Sequence, residues 1–286
     1  MNKKFARLST PYLYWLYILA LFPALFMFVL MFLDIKEGLD ISNGIKFTLD
    51  NFKQLAEPST LIAFKNSFVY AFIATILSIL FGYLVAYKLF RSRFKNKFLI
   101  LVILILPMWT NILLRTESLA GILTFDGNII LSLFEKIFNT NFTQNPNAKE
   151  ILGTPFAVIF GLFVTYVPFM IMPIYNSLEK IDKSTEEAAL DLGLTESQKF
   201  FKVILPMSSK GIVTGSIMVF LPCLSGFAIP EILGRGNIVL IGNVIEANFK
   251  NMSYVIGSLL AVIILIVILL SIFIVNKIDK EGETLL

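Results

Sequence analysis

The chain has 286 residues, 57% of them hydrophobic and 15% charged, with a formal net charge of +4. A water-soluble domain carries roughly a quarter charged residues, so there is too little polar surface here to cover a soluble body. There is no His and one Cys, Cys223, which excludes imidazole chemistry, a His-ligated metal and an internal disulfide; no basic stripe suited to nucleic acid and no cofactor motif is present.

A helix needs about 20 apolar residues to cross a bilayer core of about 30 Å. Six runs approach or exceed that length without a charge: residues 12–33, 66–87, 98–114, 151–178, 211–230 and 251–276. They are too long and too uniformly apolar for barrel strands, which alternate in polarity. The expected fold is all-α and polytopic, with six transmembrane helices. The first run follows Lys3, Lys4 and Arg7 like the start of a signal peptide. It is too long for such a core and has no small-residue cleavage site behind it, so it reads as a retained span.

Basic residues favour the cytoplasmic side. Residues 88–97 hold Lys88, Arg91, Arg93, Lys95 and Lys97 and no acid. Placing that loop inside puts both termini and residues 179–210 inside as well. The N-terminus, residues 88–97, residues 179–210 and the tail then carry three, five, five and two of the 24 Lys and Arg residues. Residues 34–65 and 118–150 become external segments. No internal repeat is evident, which argues against an inverted-repeat secondary transporter.

Residues 179–210 form the longest cytoplasmic segment. Ser184 with Glu187 has the spacing of a capping box, and Gly193 suits a helix C-terminus. Thr195 with Gln198 makes a second box, opening a helix that Pro206 bends or ends. The expected element is a short helix-turn-helix, thin at Ala188 and Ala189. On physical grounds alone it is either an amphipathic connector or a docking surface.

The spacing is more specific. Glu187-Ala188-Ala189, three residues, Gly193, nine residues and Val203-Ile204-Leu205-Pro206 resembles the EAA loop of binding-protein-dependent ABC importer permeases, departing at Val203, where Ile is commoner. The resemblance implies a type I (MetI-like) permease fold. It also implies that this loop, through Glu187, Ala188, Ala189, Gly193, Leu205 and Pro206, docks into a cytoplasmic ATPase. No phosphate-binding Gly-x-x-x-x-Gly-Lys-Ser/Thr loop occurs, so the chain reads as a transport subunit and not an enzyme. Further patches are similar to the B-type subunits of spermidine/putrescine permeases, through most of residues 60–275. They are Pro107-Met108-Trp109-Thr110-Asn111, Leu152-Gly153-Thr154-Pro155, Val167-Pro168-Phe169 and Leu240-Ile241-Gly242-Asn243. That similarity implies a polyamine path, a second related permease subunit, two ATPase copies and an external polyamine-binding protein, all at a bacterial inner membrane. The implied organisation is an N-terminal segment (1–60), a permease domain (61–276, coupling loop 184–206) and a cytoplasmic tail (277–286).

A polycation path wants acids for the charges and aromatic faces for the cations. Counting 1.5 Å per residue along a straight third span from Phe98 puts Trp109 about 17 Å up and Glu117 about 29 Å up; the same count from Gly211 puts Glu231 about 30 Å up the fifth. Glu117 and Glu231 then form an acidic outer mouth with Trp109 deeper in. Each has a plainer reading: Glu117 as counter-ion to Arg115, Glu231 as a solvated helix end, Trp109 as packing. Asn111 and Asn243 join the path or bond between helices. Pro107, Pro168, Pro173 and Pro222 should kink helices. The alternatives kept open are a permease for another cationic or amino-acid-like solute, a secondary transporter and a membrane-embedded enzyme.

Overall fold

The computed structural model describes residues 3–35, 46–124 and 151–278. Among them the fold is helical, with one isolated antiparallel bridge between Leu33 and Phe47. The tail expected at 277–286 lies mostly outside the described residues, as do much of the external segment 118–150 and part of 34–65.

The helices are α1 (Lys3–Leu30), α2 (Pro58–Arg91), α3 (Lys97–Ile105), α4 (Ile112–Leu123), α5 (Pro155–Glu179), α6 (Lys183–Asp191), α7 (Glu196–Met207), α8 (Ser209–Ser225), α9 (Ala228–Gly234), α10 (Ile241–Lys250) and α11 (Tyr254–Ile278). All six apolar runs fall on helices. Three helices, α2, α5 and α11, have spanning length and composition without a break. Two bent pairs, α3 with α4 and α7 with α8, reach that length and composition only when each pair is taken together, and Tyr14–Leu30 of α1 is a shorter apolar stretch.

The chain forms two compact units. One comprises residues 1–63 and 244–270. Its core is Met31, Leu259 and Val262, packed by Met27, Phe32, Phe52, Leu55 and Ile263. Asn51 pins the chain after α1 by donating to the carbonyls of Met31 (3.0 Å) and Leu33 (2.9 Å). Most of α1 contributes nothing to this core: Tyr14, Trp15, Leu19 and Phe22 stand exposed. In water such a helix would be a liability; hydrocarbon removes the penalty.

The other unit comprises residues 64–243 and 271–286. Its central pairing is α5 against α8. Helix α5 starts where Thr154 caps it, accepting from the Ala157 amide at 3.3 Å, with Pro155 at the first helical position. That position needs no amide donor, so Pro is tolerated there. Gly211 and Gly215, one turn apart on α8, allow the close approach: a Cβ on Gly211 would lie 2.5 Å from the Pro173 carbonyl oxygen, and one on Gly215 would lie 2.6 Å from Met170 Sδ. Small residues at such a crossing let backbones meet where lipid gives no hydrophobic drive.

Two bends correct the straight-helix counting. The span beginning at α3 tightens into a 3₁₀ turn at Leu106–Trp109 and then turns 94° into α4. Pro107 breaks the ladder, and its carbonyl accepts from Thr110 Oγ1 at 2.6 Å and Arg115 Nη1 at 2.9 Å. The 1.5 Å rise per residue therefore holds only through α3, to Ile105; Glu117 lies on a helix running nearly at right angles to α3. The fifth run likewise ends at Ser225, and Glu231 belongs to the separate helix α9.

Candidate functional site

Helix α6 ends as its sequence predicts. Gly193 takes φ +82°, its amide donates to the Leu190 carbonyl at 2.8 Å, and the Leu194 amide donates to Ala189 at 3.2 Å. These two bonds make a Schellman motif, which needs a left-handed residue at this point. The capping box opening α7 is also formed: Gln198 N–H donates to Thr195 Oγ1 at 3.3 Å, and Thr195 N–H donates to Gln198 Oε1 at 3.0 Å.

The box expected at Ser184 and Glu187 is not formed. The N-cap falls two residues earlier, at Asp182, which makes no side-chain cap bond. The reason is tertiary. Glu186 turns inward, 6% exposed, and fixes the rotation of the helix, leaving Glu187 and Ala188 on the exposed side and Ala189 buried.

Glu186 sits in a network that sequence reading missed. Its Oε2 lies 2.9 Å from Arg91 Nη2 and 3.6 Å from Lys199 Nζ. Lys199, only 3% exposed, also reaches Glu196 at 2.9 Å. The hydrogen bond from Lys199, joined by the nearby Arg91 charge, holds the Glu196 carboxyl below the ordinary carboxylate range. Arg91 Nε donates to Tyr87 Oη at 3.2 Å, and the Tyr87 ring meets Phe200 edge-on at 5.0 Å. Phe200 opens a π turn, Phe200–Ile204, inside α7; such turns insert one extra residue and often mark functional positions. Farther along, Tyr83 and Ser208 share a buried hydrogen bond of 2.9 Å. The C-terminal end of α2 is thus bolted to the loop α6–α7. The only signal for this in the sequence was a basic residue at the end of α2 and acids in the loop, with nothing to say which would pair.

The exposed side of α6 offers a shallow groove lined by Ser184, Thr185, Ala188, Ala189, Leu192, Leu194 and Val203. Leu192 is 84% exposed there. Leu205 and Pro206 lie at the end of α7, where the chain turns 58° into α8. Small and apolar side chains dominate this groove, so another surface could approach the helix closely there.

The residues expected in the substrate path are partly brought together. Asn243 donates to Glu231 Oε2 and to the Phe227 carbonyl, each at 3.0 Å, and accepts from the Leu240 amide at 3.2 Å. Asn111 caps α4, accepting from the Leu113 amide at 2.8 Å. It lines a cavity of about 250 Å³ with Tyr166, Phe227 and Pro230. Helix α9, carrying Glu231, packs on α4, carrying Glu117, and both acids are exposed. Trp109 is 89% exposed at the bend. Arg115 donates to Pro107 across that bend.

A larger cavity, about 490 Å³, lies beside α3, α5 and α8. Met108, Met172, Met207 and Met218 line its apolar wall, Asn176, Ser177 and Thr214 add polar groups, and Lys180 and Lys210 complete it. Sequence reading missed it because its lining comes from elements remote in the chain.

Comparison with known proteins adds the family. Residues 78–280 match the family described as "Binding-protein-dependent transport system inner membrane component". The chain is 33% identical to the spermidine/putrescine transport system permease protein PotB of Haemophilus influenzae, over 98% of this chain and 96% of that one. It is 35% identical to PotB of Escherichia coli, over 83% of each. A crystal structure of a bacterial ABC transporter that imports the acidic polysaccharide alginate has a chain of the same fold, with a TM-score of 0.74 at 15% identity over 98% of this chain and 96% of that one. The chain therefore belongs to the family of inner membrane components of binding-protein-dependent transport systems, as a multi-pass transport subunit and not an enzyme.

Proposed function

We propose that this chain forms part of the transmembrane path of a polyamine importer, working with two copies of a cytoplasmic ATPase, a second related permease subunit and an external polyamine-binding protein. The observation that carries the reading is the identity to PotB proteins along nearly the whole chain. Residues 61–276 act as the permease body, and both termini and the loop α6–α7 face the cytoplasm. The groove of α6 with Glu187, Ala188, Ala189 and Gly193 receives the ATPase, and Leu205 and Pro206 pass its movement to α8. Glu117 and Glu231 draw the polycation inward, Asn243 holds Glu231 in place, and Trp109 and Asn111 meet the solute at the bend.

The test is radiolabelled spermidine and putrescine uptake in cells that lack other polyamine importers and express the chain with its partner subunits. Deleting the chain should abolish uptake. Each acid in a wet mouth attracts a cation by about 1 kcal/mol. Glu117→Gln with Glu231→Gln should therefore remove most uptake without abolishing it, and the difference from wild type should narrow at high salt, where the attraction the acids supply is screened. Unchanged uptake in the double variant would remove the acidic mouth. Uptake of a different cationic solute, with none of polyamine, would remove the substrate and leave the importer.

A further inference from the structure

The loop between α2 and α3 carries more positive charge than its internal contacts use. Arg91 is paired with Glu186, and Lys97 lies over the Phe90 ring at 5.7 Å and donates to the Phe90 carbonyl. Lys88, Arg93 and Lys95 are exposed. Lys97 also opens α3, whose first turn has no acid and whose N-cap, Asn96, makes no side-chain cap bond. Cations at the positive end of a helix repel it, so the arrangement is self-opposed as it stands.

Beside it lies a cavity of about 410 Å³ lined by Phe90, Arg91, Ser92, Lys97, Lys183, Lys199, Glu186, Glu187 and Leu190. Arg91 and Lys199 are engaged by Glu186, and Lys199 by Glu196 as well, which leaves Lys97 and Lys183 facing Glu187 alone. Phe94 and Phe98 stand 65% and 76% exposed beside these cations. Apolar rings beside basic residues can enter the headgroup–acyl boundary while the cations stay at the headgroups, and basic pockets between helices at a membrane surface take anionic headgroups.

We propose that this cavity and loop bind the phosphodiester headgroup of an anionic phospholipid such as phosphatidylglycerol. Ser92, Lys97 and Lys183 meet the phosphate, Arg93 and Lys95 form an outer cationic ring, and Phe94 and Phe98 enter the acyl boundary. Phe98 heads the exposed apolar face of α3, followed by Leu99, Val102 and Ile103, and that continuity with a hydrocarbon-facing surface favours a lipid over an acidic protein. Because Lys183, Glu187 and Leu190 belong to α6, the bound headgroup touches the coupling helix itself, and membrane charge bears on how that helix is held. The site stands whichever solute the permease carries.

The experiment is native mass spectrometry of the purified importer complex released from nanodiscs of phosphatidylglycerol mixed with phosphatidylcholine. The complex should retain phosphatidylglycerol in preference. A basic residue near an anionic surface strengthens attraction about fivefold, so Arg93→Gln, Lys95→Gln and Lys97→Gln together should lower that retention on the order of a hundredfold. The charge-preserving triple Arg93→Lys, Lys95→Arg and Lys97→Arg should retain the lipid, as should Lys202→Gln, an exposed cation elsewhere on α7. Equal retention of both lipids overturns the proposal. So does displacement by glycerol 3-phosphate alone at matched concentration, which would mark a soluble-anion site, or undiminished retention in the triple Gln variant. Loss of the lipid whenever the ATPase is docked would mark a protein interface and overturn it as well.

Discussion

Glu186 and Glu187 are neighbours with opposite surroundings, and their substitutions should separate folding from coupling. Glu186 is buried against Lys199 and Arg91. Removing one partner of a buried pair strands the other, and a fully buried pair loses about 3–5 kcal/mol. Here Glu196 still reaches Lys199 and the Arg91 side chain is 39% exposed, so Glu186→Gln should lose about 1–3 kcal/mol. This should be read as a lower Tm in detergent. Glu187→Lys changes an exposed side chain and should leave Tm unchanged while loaded binding protein no longer stimulates the ATPase. Normal stimulation in that variant would place the docking contact elsewhere on the loop. At Gly193 the cost is conformational: nothing lies within 4 Å of the position a Cβ would take, yet φ is +82°. Gly193→Ala should therefore cost about 1 kcal/mol through backbone strain alone.

At the scale of elements, the α5–α8 crossing sets the shape of the permease unit. A methyl group on Gly211 would meet the Pro173 oxygen at 2.5 Å and the Ile174 Cα at 2.9 Å. Both are backbone atoms, which cannot rotate aside. Gly211→Ala should thus force the helices apart at about 1–3 kcal/mol, the usual range for overpacking. Gly121→Ala on α4 is the control, because its Cβ would meet open space and a helix gains slightly from Ala. Tm measurements on the two variants, with membrane yield, check the pair; equal stabilities would mean the crossing is looser than its distances say. The same crossing places Met172, Met218 and Lys210 around one cavity, so a displaced α8 should also slow transport.

At the scale of the whole molecule, the orientation proposed above rests on residues 88–97, five basic residues and no acid, through the positive-inside rule. In a Cys223→Ser background, Ser59→Cys should react with an impermeant thiol reagent in intact cells. Ser197→Cys should react only after permeabilisation. The reverse pattern would invert the topology and remove the loop α6–α7 from reach of any ATPase. The substitution of Cys223 is needed because it supplies a native thiol, though a buried one.

How much of this was legible in the sequence depends on the range over which each feature is decided. Hydropathy and length act along a single segment, so the six runs, the all-helical fold and the helix-turn-helix of the coupling loop could be read directly. So could Gly193 and the Thr195–Gln198 box, whose hydrogen bonds close within a few residues. The false capping box at Ser184 marks the limit, because three-residue spacing gave no sign that Glu186 would turn inward to partners on α2 and α7. The 94° bend was half legible: Pro107 marked a break, but the angle came from Arg115 and Thr110 closing on one carbonyl. The buried charge network, the Gly211 crossing and the methionine-lined cavity were decided only by tertiary structure. Each needs side chains from distant segments to meet at a fixed distance, and that distance is set by how helices pack, which no local pattern encodes. By itself the sequence determined a membrane-spanning helical chain with a two-helix loop; the folded structure determined which face of that loop is held inside and which is exposed.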